Sequence, residues 1–448
     1  MTPEDSAFWQ MESDVSCMHN VTLAVFQGPV PSMDELTSHV GRRVALVPRL
    51  RQRVVPVPFD LARPVWVDDP RFVLDDHLAA AECGSGMAGL RELVSLILSQ
   101  RLDRDRPLWQ LNLVTGLPDD RWALISKVHH CLIDGVSGTD LLAVLVDDAA
   151  DDASWVPSWD PSALPTPRDL VRHALLELAL DPTEQYRAFR ANAKRGRREW
   201  NGVTRRPVTL PSDPTGLIGP VGPKRSWAPA VVRMDVVRAL RDRHRVGTHD
   251  VVLALVTSGL QALVLAHDEG SVPQPDVRAV VPIAVADDRA ANASGIDAAV
   301  VELPTGDPDV SRQLRRIHEQ RAADTAGGVA GSALTRLPGF AAPALASLGL
   351  REAARSGNGM GAAQAVVVNV PGPSRDLTVL GRTMIETYPV MPLPPRVRVT
   401  VGVVSYADHF TFGVTTDRDA LPDGQVVATG IERTAAAIMS GSYDETAP

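Results

Sequence analysis

The sequence predicts an α/β fold built from two halves, each of them a sheet flanked by helices. Apolar residues recur at helical spacing in some stretches and at strand spacing in others. A stretch rich in Pro, Asp and Ser, Asp151–Asp169, interrupts this pattern, and the length of 448 residues fits two domains better than one. We therefore expect an N-terminal domain over 1–150, linking loops and helices over 151–227, and a C-terminal domain over 228–448.

The first half alternates between the two patterns. Apolar residues have helical spacing in Met33–Val55, Gly89–Leu102 and Gly138–Ala149. Leu108–Leu117 and Arg121–His130 have the composition of strands, and the turn sequence Pro-Asp-Asp separates them. This order predicts a β-hairpin followed by a helix.

The second half repeats the alternation after a helical stretch, Leu170–Trp200, and a loop rich in Pro and Gly, Arg205–Trp227. A strand around Val231–Asp235, a helix before Gly247 and a long apolar helix from His249 are predicted next. The remaining predictions are four strands and a closing helix, at Arg278–Val285, Gln364–Val370, Arg398–Tyr406, Phe410–Thr416 and Gly424–Ser440.

Composition excludes several classes of function. The net charge of −9 gives no electrostatic support for binding nucleic acid. The three cysteines, Cys17, Cys83 and Cys131, form no paired motif, so we expect neither a metal site nor a disulfide framework. Free cysteines are typical of a reducing compartment, and we expect the protein to be in one. The acidic N-terminus does not resemble a signal peptide, and Val251–Ala266 is shorter than a membrane span. These features predict a cytoplasmic protein.

The stretch His129-His130-Cys131-Leu132-Ile133-Asp134-Gly135 lies at the end of a predicted strand. Because side chains alternate along a strand, His129 and His130 should face opposite sides, so only one of them is expected to act as a general base. Asp134 could orient that imidazole or hold the loop through an Arg, and Gly135 allows the backbone to turn. A metal site here, or a Cys131 nucleophile, would need adjacent strand side chains to converge.

This HHxxxDG stretch resembles the signature of the bacterial wax ester synthase/diacylglycerol acyltransferase family, within the CoA-dependent acyltransferase superfamily. Further blocks resemble the same family in the same order along nearly the whole chain. These are Arg63–Leu78, the PLW block at Asp103–Trp109 with Pro107 and Trp109, the NVPGP turn at Val368–Pro373, and the closing strands at Val403–Asp423.

The resemblance implies two similar chloramphenicol-acetyltransferase-like domains, with mixed sheets flanked by helices and a tunnel at their interface. It implies an acyl-CoA-dependent O-acyltransferase that esterifies a fatty alcohol, a diacylglycerol or another hydroxyl acceptor. His130 would be the general base, His129 its neighbour, and Asp134 the residue that shapes the loop through an ion pair. Acyl-CoA would be a co-substrate, and no cofactor or metal is implied. A degenerate lipid-binding relative and a specialised natural-product acyltransferase are the alternatives.

The chain departs from the family pattern at four positions, His249, Ala284, Ala286 and Val368, where the family usually has Asn, Ser, Arg and Ser or Thr. A hydroxyl at position 368 could stabilise the oxyanion that forms on the thioester, whereas Val368 has no donor. Asn369 and Gly372 are therefore the candidate oxyanion donors, and a turn role for Asn369 is the alternative.

A basic cluster with aromatic residues occupies Tyr186–Trp200. Such a segment can lie on an anionic membrane or lipid-droplet surface, and the alternative is a solvated connecting helix. We expect peripheral contact with the inner membrane face through this segment.

Overall fold

The computed structural model describes residues 1–84, 86–132, 141–147, 159–180, 213, 215–267, 275–284, 296–327, 363–373 and 375–440. The described residues form two six-stranded sheets and one two-stranded sheet. Both large sheets are mixed, and helices pack against them, so the predicted α/β class with two sheets is confirmed.

The first sheet has the order β11-β12-β1-β6-β5-β4. Its strands are β1 His19–Gln27, β4 Leu78–Glu82, β5 Trp109–Leu117, β6 Arg121–His129, β11 Thr378–Val379 and β12 Arg382–Val390. The small sheet pairs β2 Gln52–Val55 with β3 Val65–Asp68. The predicted hairpin is present as β5 and β6, and its turn has positive φ angles of 62° at Asp119 and 55° at Asp120.

The second sheet has the order β7-β14-β13-β10-β8-β9. Its strands are β7 Arg225–Arg233, β8 Val277–Ala284, β9 Ile296–Leu303, β10 Ala365–Val370, β13 Val399–Tyr406 and β14 His409–Asp417. The helices are α1 Pro3–Met11, α2 Met33–Leu46, α3 Gly86–Ser99, α4 Leu141–Leu145, α5 Pro167–Leu180, α6 Met234–His244, α7 Thr248–His267, α8 Val310–Gly327 and α9 Gly424–Met439.

Two sequence predictions need correction. The helical pattern of Met33–Val55 gives a helix only as far as Leu46, because Pro48 cannot continue it. A 3₁₀ turn and β2 follow instead. The strand predicted at Val231–Asp235 is β7, which begins at Arg225 and ends before α6. Pro229 obscured it, but β7 is an edge strand, where a proline is tolerated.

The second half contributes two strands, β11 and β12, to the first sheet. β12 pairs with β1 and also contacts β13 and β14 of the second sheet. Glycines permit this close approach: a Cβ at Gly413 would lie 1.8 Å from the carbonyl oxygen of Pro389, and one at Gly402 would lie 2.9 Å from the Cγ of Met391. The two sheets are therefore joined by backbone packing as well as by the linking chain.

The apolar cores follow strand alternation. Trp122, Leu124 and Val128 of β6 belong to a core on one face of the first sheet, whereas Ala123 and Ile125 belong to a core on the other face. In the second half, α7 is long and apolar enough to span a membrane, but it is mostly buried in the core of that half. It is a core helix, as the sequence predicts.

Candidate active site

The strand β6 ends at His129, and a 3₁₀ turn, His130–Leu132, begins with the next residue. The backbone N–H of His129 donates to the carbonyl of Leu108 at 3.0 Å, while that of His130 donates to the carbonyl of Met18 at 2.7 Å. The two adjacent histidines are therefore held by different segments of chain. Their imidazoles enter different surroundings, but His130 lies in the turn and not in the strand where the alternation argument placed it.

The ring of His129 is fully buried. Its Nδ1 accepts a hydrogen bond from the backbone N–H of Cys131 at 3.1 Å. Its Nε2 lies 3.5 Å from a carboxylate oxygen of Glu12, the residue that follows α1. Nδ1 of His129 is thus hydrogen-bonded to the backbone, and Nε2 lies within ion-pair distance of Glu12.

Glu12 is the centre of a buried charged cluster. Its side chain is 1% exposed, and its oxygens lie 3.2 Å from Nε2 of His19 and 3.3 Å from Nε of Arg104. Burial alone would raise the pKa of this carboxyl, but hydrogen bonds from His129 and His19 outweigh it and hold the pKa well below its usual range. Glu12 is therefore a carboxylate, and the Arg104 guanidinium, which also stacks on Trp9, balances its charge.

His130 is half-buried beside α1 and β1. Its Nδ1 lies 3.3 Å from the side-chain amide nitrogen of Asn20. The ring of Phe8 contacts it edge-on, with 3.8 Å between ring centroids. Burial, followed by the neighbouring His129, lowers the pKa of His130 to about 4. At neutral pH this imidazole is uncharged, which is the state that can accept a proton.

The PLW block supports the motif strand. Pro107 and Trp109 are buried, and Leu108 between them accepts the His129 N–H. The Trp109 indole N–H donates to the carbonyl of Leu50 at 2.7 Å, and its ring stacks on His77 at 4.5 Å. The contacts of this block are thus packing contacts next to His129.

Asp134, Gly135 and Ala286 lie outside the described residues, as does the segment Tyr186–Trp200.

Asn369 and Gly372 lie at the end of β10 in the second half. The side-chain amide nitrogen of Asn369 is 3.1 Å from Nδ1 of His249. The Gly372 N–H donates to the hydroxyl of Ser405 at 3.3 Å, and a Cβ at Gly372 would lie 1.6 Å from the Ser405 carbonyl oxygen. The close approach of these backbones explains the glycine. Val368 pairs with Gly402 within the sheet.

His249 begins a second charged cluster, at the start of α7. Burial, followed by Arg321, lowers the pKa of His249 to about 4. Asp250 forms an ion pair with Arg321 and a hydrogen bond, at 2.9 Å, with Nδ1 of His318, both on α8. Burial would raise the pKa of Asp250, but these hydrogen bonds lower it.

Sequence reasoning did not assign Glu12, His19, Asn20 or Arg104 to this site. The available signal was weak: a glutamate just after a short helix, and polar residues at the start of the apolar strand β1.

Within the described chain, Glu12, Cys17 and His19 also place possible metal-ligand atoms within 4.8 Å of one another. Arg104 already pairs with the carboxylate of Glu12, so we interpret this cluster as a hydrogen-bonded one.

Comparison with known proteins places this site in context. A family model described as the wax ester synthase/diacylglycerol acyltransferase catalytic domain matches residues 1–252, and one for the C-terminal domain of the same family matches residues 295–438. A probable diacylglycerol O-acyltransferase of Mycobacterium tuberculosis is 31% identical over 431 residues, which cover 93% of this chain and 90% of the relative. A putative diacylglycerol O-acyltransferase of Mycobacterium bovis has the same identity and coverage.

Two solved structures share the fold. The wax ester synthase/diacylglycerol acyltransferase from Marinobacter aquaeolei VT8 superposes with a TM-score of 0.68 at 23% identity, covering 99% of each chain. The first condensation domain of the calcium-dependent antibiotic synthetase superposes with a TM-score of 0.60 at 17% identity, covering 100% of this chain and 96% of that one. At these identities the likeness concerns the fold alone.

Proposed function

The chain belongs to the wax ester synthase/diacylglycerol acyltransferase family, and from that premise we propose that it transfers the acyl group of acyl-CoA to an alcohol with His130 as the general base. One observation supports this role above the others. Among the described residues, the hydrogen-bond contact of the His130 ring uses Nδ1, and burial keeps the ring uncharged at neutral pH. Nε2 is then the nitrogen open to a substrate hydroxyl, and it acts as the base when the ring proton is on Nδ1.

The proposed reaction needs no covalent enzyme intermediate. Nε2 of His130 takes the proton of the acceptor hydroxyl while the oxygen attacks the thioester carbonyl. The carbon–sulfur bond breaks, the CoA thiolate leaves, and the proton on His130 neutralises it. The products are an ester and free CoA.

The oxyanion formed in this reaction needs a donor, and Asn369 is the proposed one. A side-chain amide nitrogen carries two hydrogens, so its contact with His249 leaves a second N–H for the oxyanion. The Gly372 N–H is a weaker candidate because it already donates to Ser405. Within the loop that follows His130, we propose that Asp134 and Gly135 set the backbone path.

The proposed acceptor is a diacylglycerol or a long-chain alcohol. The relatives carry names of diacylglycerol O-acyltransferases, and the related structure carries a name with both activities. A specialised natural-product alcohol is the second candidate, because His249 and Val368 differ from the residues usual in the family. A relative that binds lipid without turnover is not favoured by these similarities.

A thiol-release assay tests the reaction. Purified protein is given acyl-CoA of graded chain length with diacylglycerol, fatty alcohols or polyols, and the ester products are identified by mass. We expect CoA release that depends on the acceptor, and a loss of about 10²–10⁴ in turnover for His130→Ala. His267→Ala, which removes a half-exposed histidine at the end of α7, is the matched control. Equal turnover in the two variants would contradict the proposal.

We also propose that the protein works at the inner membrane face. The described part of the chain has an apolar groove of about 680 Å³ between α5 and the turn at Pro58, flanked by Arg168 and Arg172. Phe59, Leu175 and Leu176 line it and are 85%, 51% and 47% exposed. An apolar surface beside arginines is suited to the headgroup region of an anionic membrane.

Vesicle flotation tests this location. Anionic vesicles should retain the protein, and binding should weaken as salt rises. Replacing Phe59, Leu175 and Leu176 together by serine should release most of it. Leu96→Ser is the control, because Leu96 is 55% exposed on α3, away from the groove. If the vesicles retained the triple variant as well as the Leu96→Ser control, the groove would not be the membrane-binding surface.

A further inference from the structure

Asn20 lies on β1, directly beside the ring of His130. Resting on the proposed role of His130, we infer that Asn20 is a positioning residue that sets the tautomer of this ring: its side-chain oxygen accepts the Nδ1 proton of His130 and leaves the lone pair of Nε2 free for the substrate hydroxyl. The Glu12–His129 contact fixes the neighbouring ring in the opposite tautomer.

The tautomer of His129 follows from its two contacts. A backbone N–H can only donate, so the bond from Cys131 makes Nδ1 of His129 an acceptor without a proton. The ring proton must then be on Nε2, which lies 3.5 Å from the Glu12 carboxylate. A proton on both nitrogens would place Nδ1–H against the Cys131 N–H. His129 is therefore held as an Nε2–H donor, and its Nδ1 lone pair is not free to act as a base.

The tautomer of His130 depends on Asn20. A neutral imidazole has one donor and one acceptor nitrogen, and an amide side chain has one donor and one acceptor end. If the Asn20 amide nitrogen donates to Nδ1, the His130 proton sits on Nε2, and neither nitrogen can take a proton from a substrate. If the amide is rotated by 180°, its oxygen accepts Nδ1–H and Nε2 becomes the acceptor.

A working base requires the second orientation. In the first orientation the Asn20 oxygen is buried without a hydrogen-bond partner among the described groups. Either orientation gives the amide one bond to the ring, so the requirement for a free Nε2 lone pair decides between them. The Phe8 ring packs at 3.8 Å and holds the imidazole against Asn20.

Besides burial, the charged or titratable group that acts on His130 is His129. Further such groups lie around His129 and Cys131, and they are Asp5 of α1, Glu12 after it, His19 of β1 and Arg104 before β5. Glu12 pairs with Arg104, His19 and His129, and the ammonium of Lys127 donates to carbonyls of Ile97 and Gln100. This leaves Asn20 as the described side chain that hydrogen-bonds the His130 ring.

The direct test is ¹⁵N NMR of the full-length protein with labelled histidine, with His129→Gln and His130→Gln used to assign the two rings. We expect a pyrrole-type Nδ1 and a pyridine-type Nε2 for His130, and the reverse for His129. A protonated Nε2 on His130 in the wild-type protein would overturn the inference. Because this readout needs no turnover, it is separate from the test of His130→Ala, which decides the general-base role alone.

The kinetic test compares Asn20→Leu with Asn20→Asp. Leucine keeps the size but cannot accept Nδ1–H, so kcat should fall about 10- to 100-fold, less than the ~10⁴-fold typical of a wrong tautomer in serine proteases, with the KM for acyl-CoA within about twofold. Aspartate accepts the proton and stabilises the imidazolium, so turnover should be kept and the acid limb of kcat/KM should move to higher pH. Equal losses in both variants, or a change in KM alone, would overturn the inference.

Discussion

The two halves of the molecule contain the same local pairing with different surroundings. In each half a histidine Nδ1 contacts an asparagine amide, His130 with Asn20 and His249 with Asn369. In each half burial lowers the histidine pKa to about 4. Each half also holds a buried carboxylate bound by one arginine and by histidine, Glu12 in the first and Asp250 in the second.

The difference lies in what each carboxylate connects. Glu12 joins the end of α1 to β1 and to the motif strand β6, so its cluster sets the surroundings of His129, the neighbour of His130. Asp250 joins the start of α7 to α8 through Arg321 and His318, and also accepts the N–H of Gly247. The second cluster connects two helices, whereas the first orders adjacent histidines. A buried histidine beside an asparagine is therefore common to both halves, and the carboxylate cluster next to it is what differs.

The sharpest way to separate the two halves is to replace each histidine by glutamine. His130→Gln should lower turnover by about 10²–10⁴, because an amide cannot take the hydroxyl proton. His249→Gln should lower it by less than about tenfold, because glutamine keeps a polar group near Asn369. Turnover and acyl-CoA affinity are measured for both variants. Similar losses at the two positions would place both histidines at the reaction.

The carboxylates should differ in stability when removed. Glu12→Ala leaves the fully buried His19 and His129 without their carboxylate, together with the partly exposed Arg104, and should lower the free energy of unfolding by about 3–5 kcal/mol. Asp250→Ala should cost about 2–3 kcal/mol, since Arg321 and His318 are 29% and 46% exposed and water can solvate them. Asp14→Ala, at a site 93% exposed, is the control and should change stability by less than about 0.5 kcal/mol.

Urea unfolding with a two-state fit measures all three variants, provided that one transition is seen. The reverse order, with Asp250→Ala the more damaging change, would show that the α7–α8 connection is the stronger of the two clusters.

Much of this fold was accessible from the sequence because its signals are local. The hairpin β5–β6 follows from strand composition around Pro-Asp-Asp, and α9 follows from its apolar spacing. The pairing of β12 with β1 in the first sheet could not be predicted, because pairing between residues about 360 positions apart depends on non-local packing. The two-sheet architecture was predictable, whereas the exchange of strands between the halves was not.

The candidate site divides in the same way. His129 and His130 form a local motif that the sequence shows directly, although His130 begins a 3₁₀ turn and does not continue the strand as strand alternation assumed. Glu12 and Asn20 lie more than a hundred residues earlier and reach the motif only because β1 pairs with β6, with His19 opposite His129. No spacing rule connects residues joined by sheet register alone, so the groups that orient the histidines were missed.

The low histidine pKa predicts the pH dependence of the rate. With a pKa of about 4, His130 stays neutral down to about pH 5, so kcat/KM should be nearly flat between about pH 5.5 and 8. An ordinary histidine of pKa ~6.5 would be about 90% protonated at pH 5.5 and would give a tenfold loss. Initial rates across this range, with folding checked at each pH, measure it. A midpoint near pH 6.5 would show that His130 is more solvated than its contacts indicate.

The smallest expected effect concerns His249→Asn, which restores the residue usual in the related family. Asn keeps a polar side chain beside Asn369, so turnover at pH 7.5 should stay within about threefold of the wild-type value.

The same substitution should have a clearer effect on how stability depends on pH. The pKa of His249 is about 4 when folded and ~6.5 when unfolded, so the unfolded chain binds more protons between these values and acid favours it. That contribution is absent above pH 6.5 and complete below pH 4. When the pH is lowered from 7.5 to 5, the melting temperature of the variant should therefore fall less than that of the wild-type protein. If the variant instead lost most of its turnover at an unchanged melting temperature, His249 would belong to the reacting site, and the two halves would be functionally closer than their carboxylate clusters indicate.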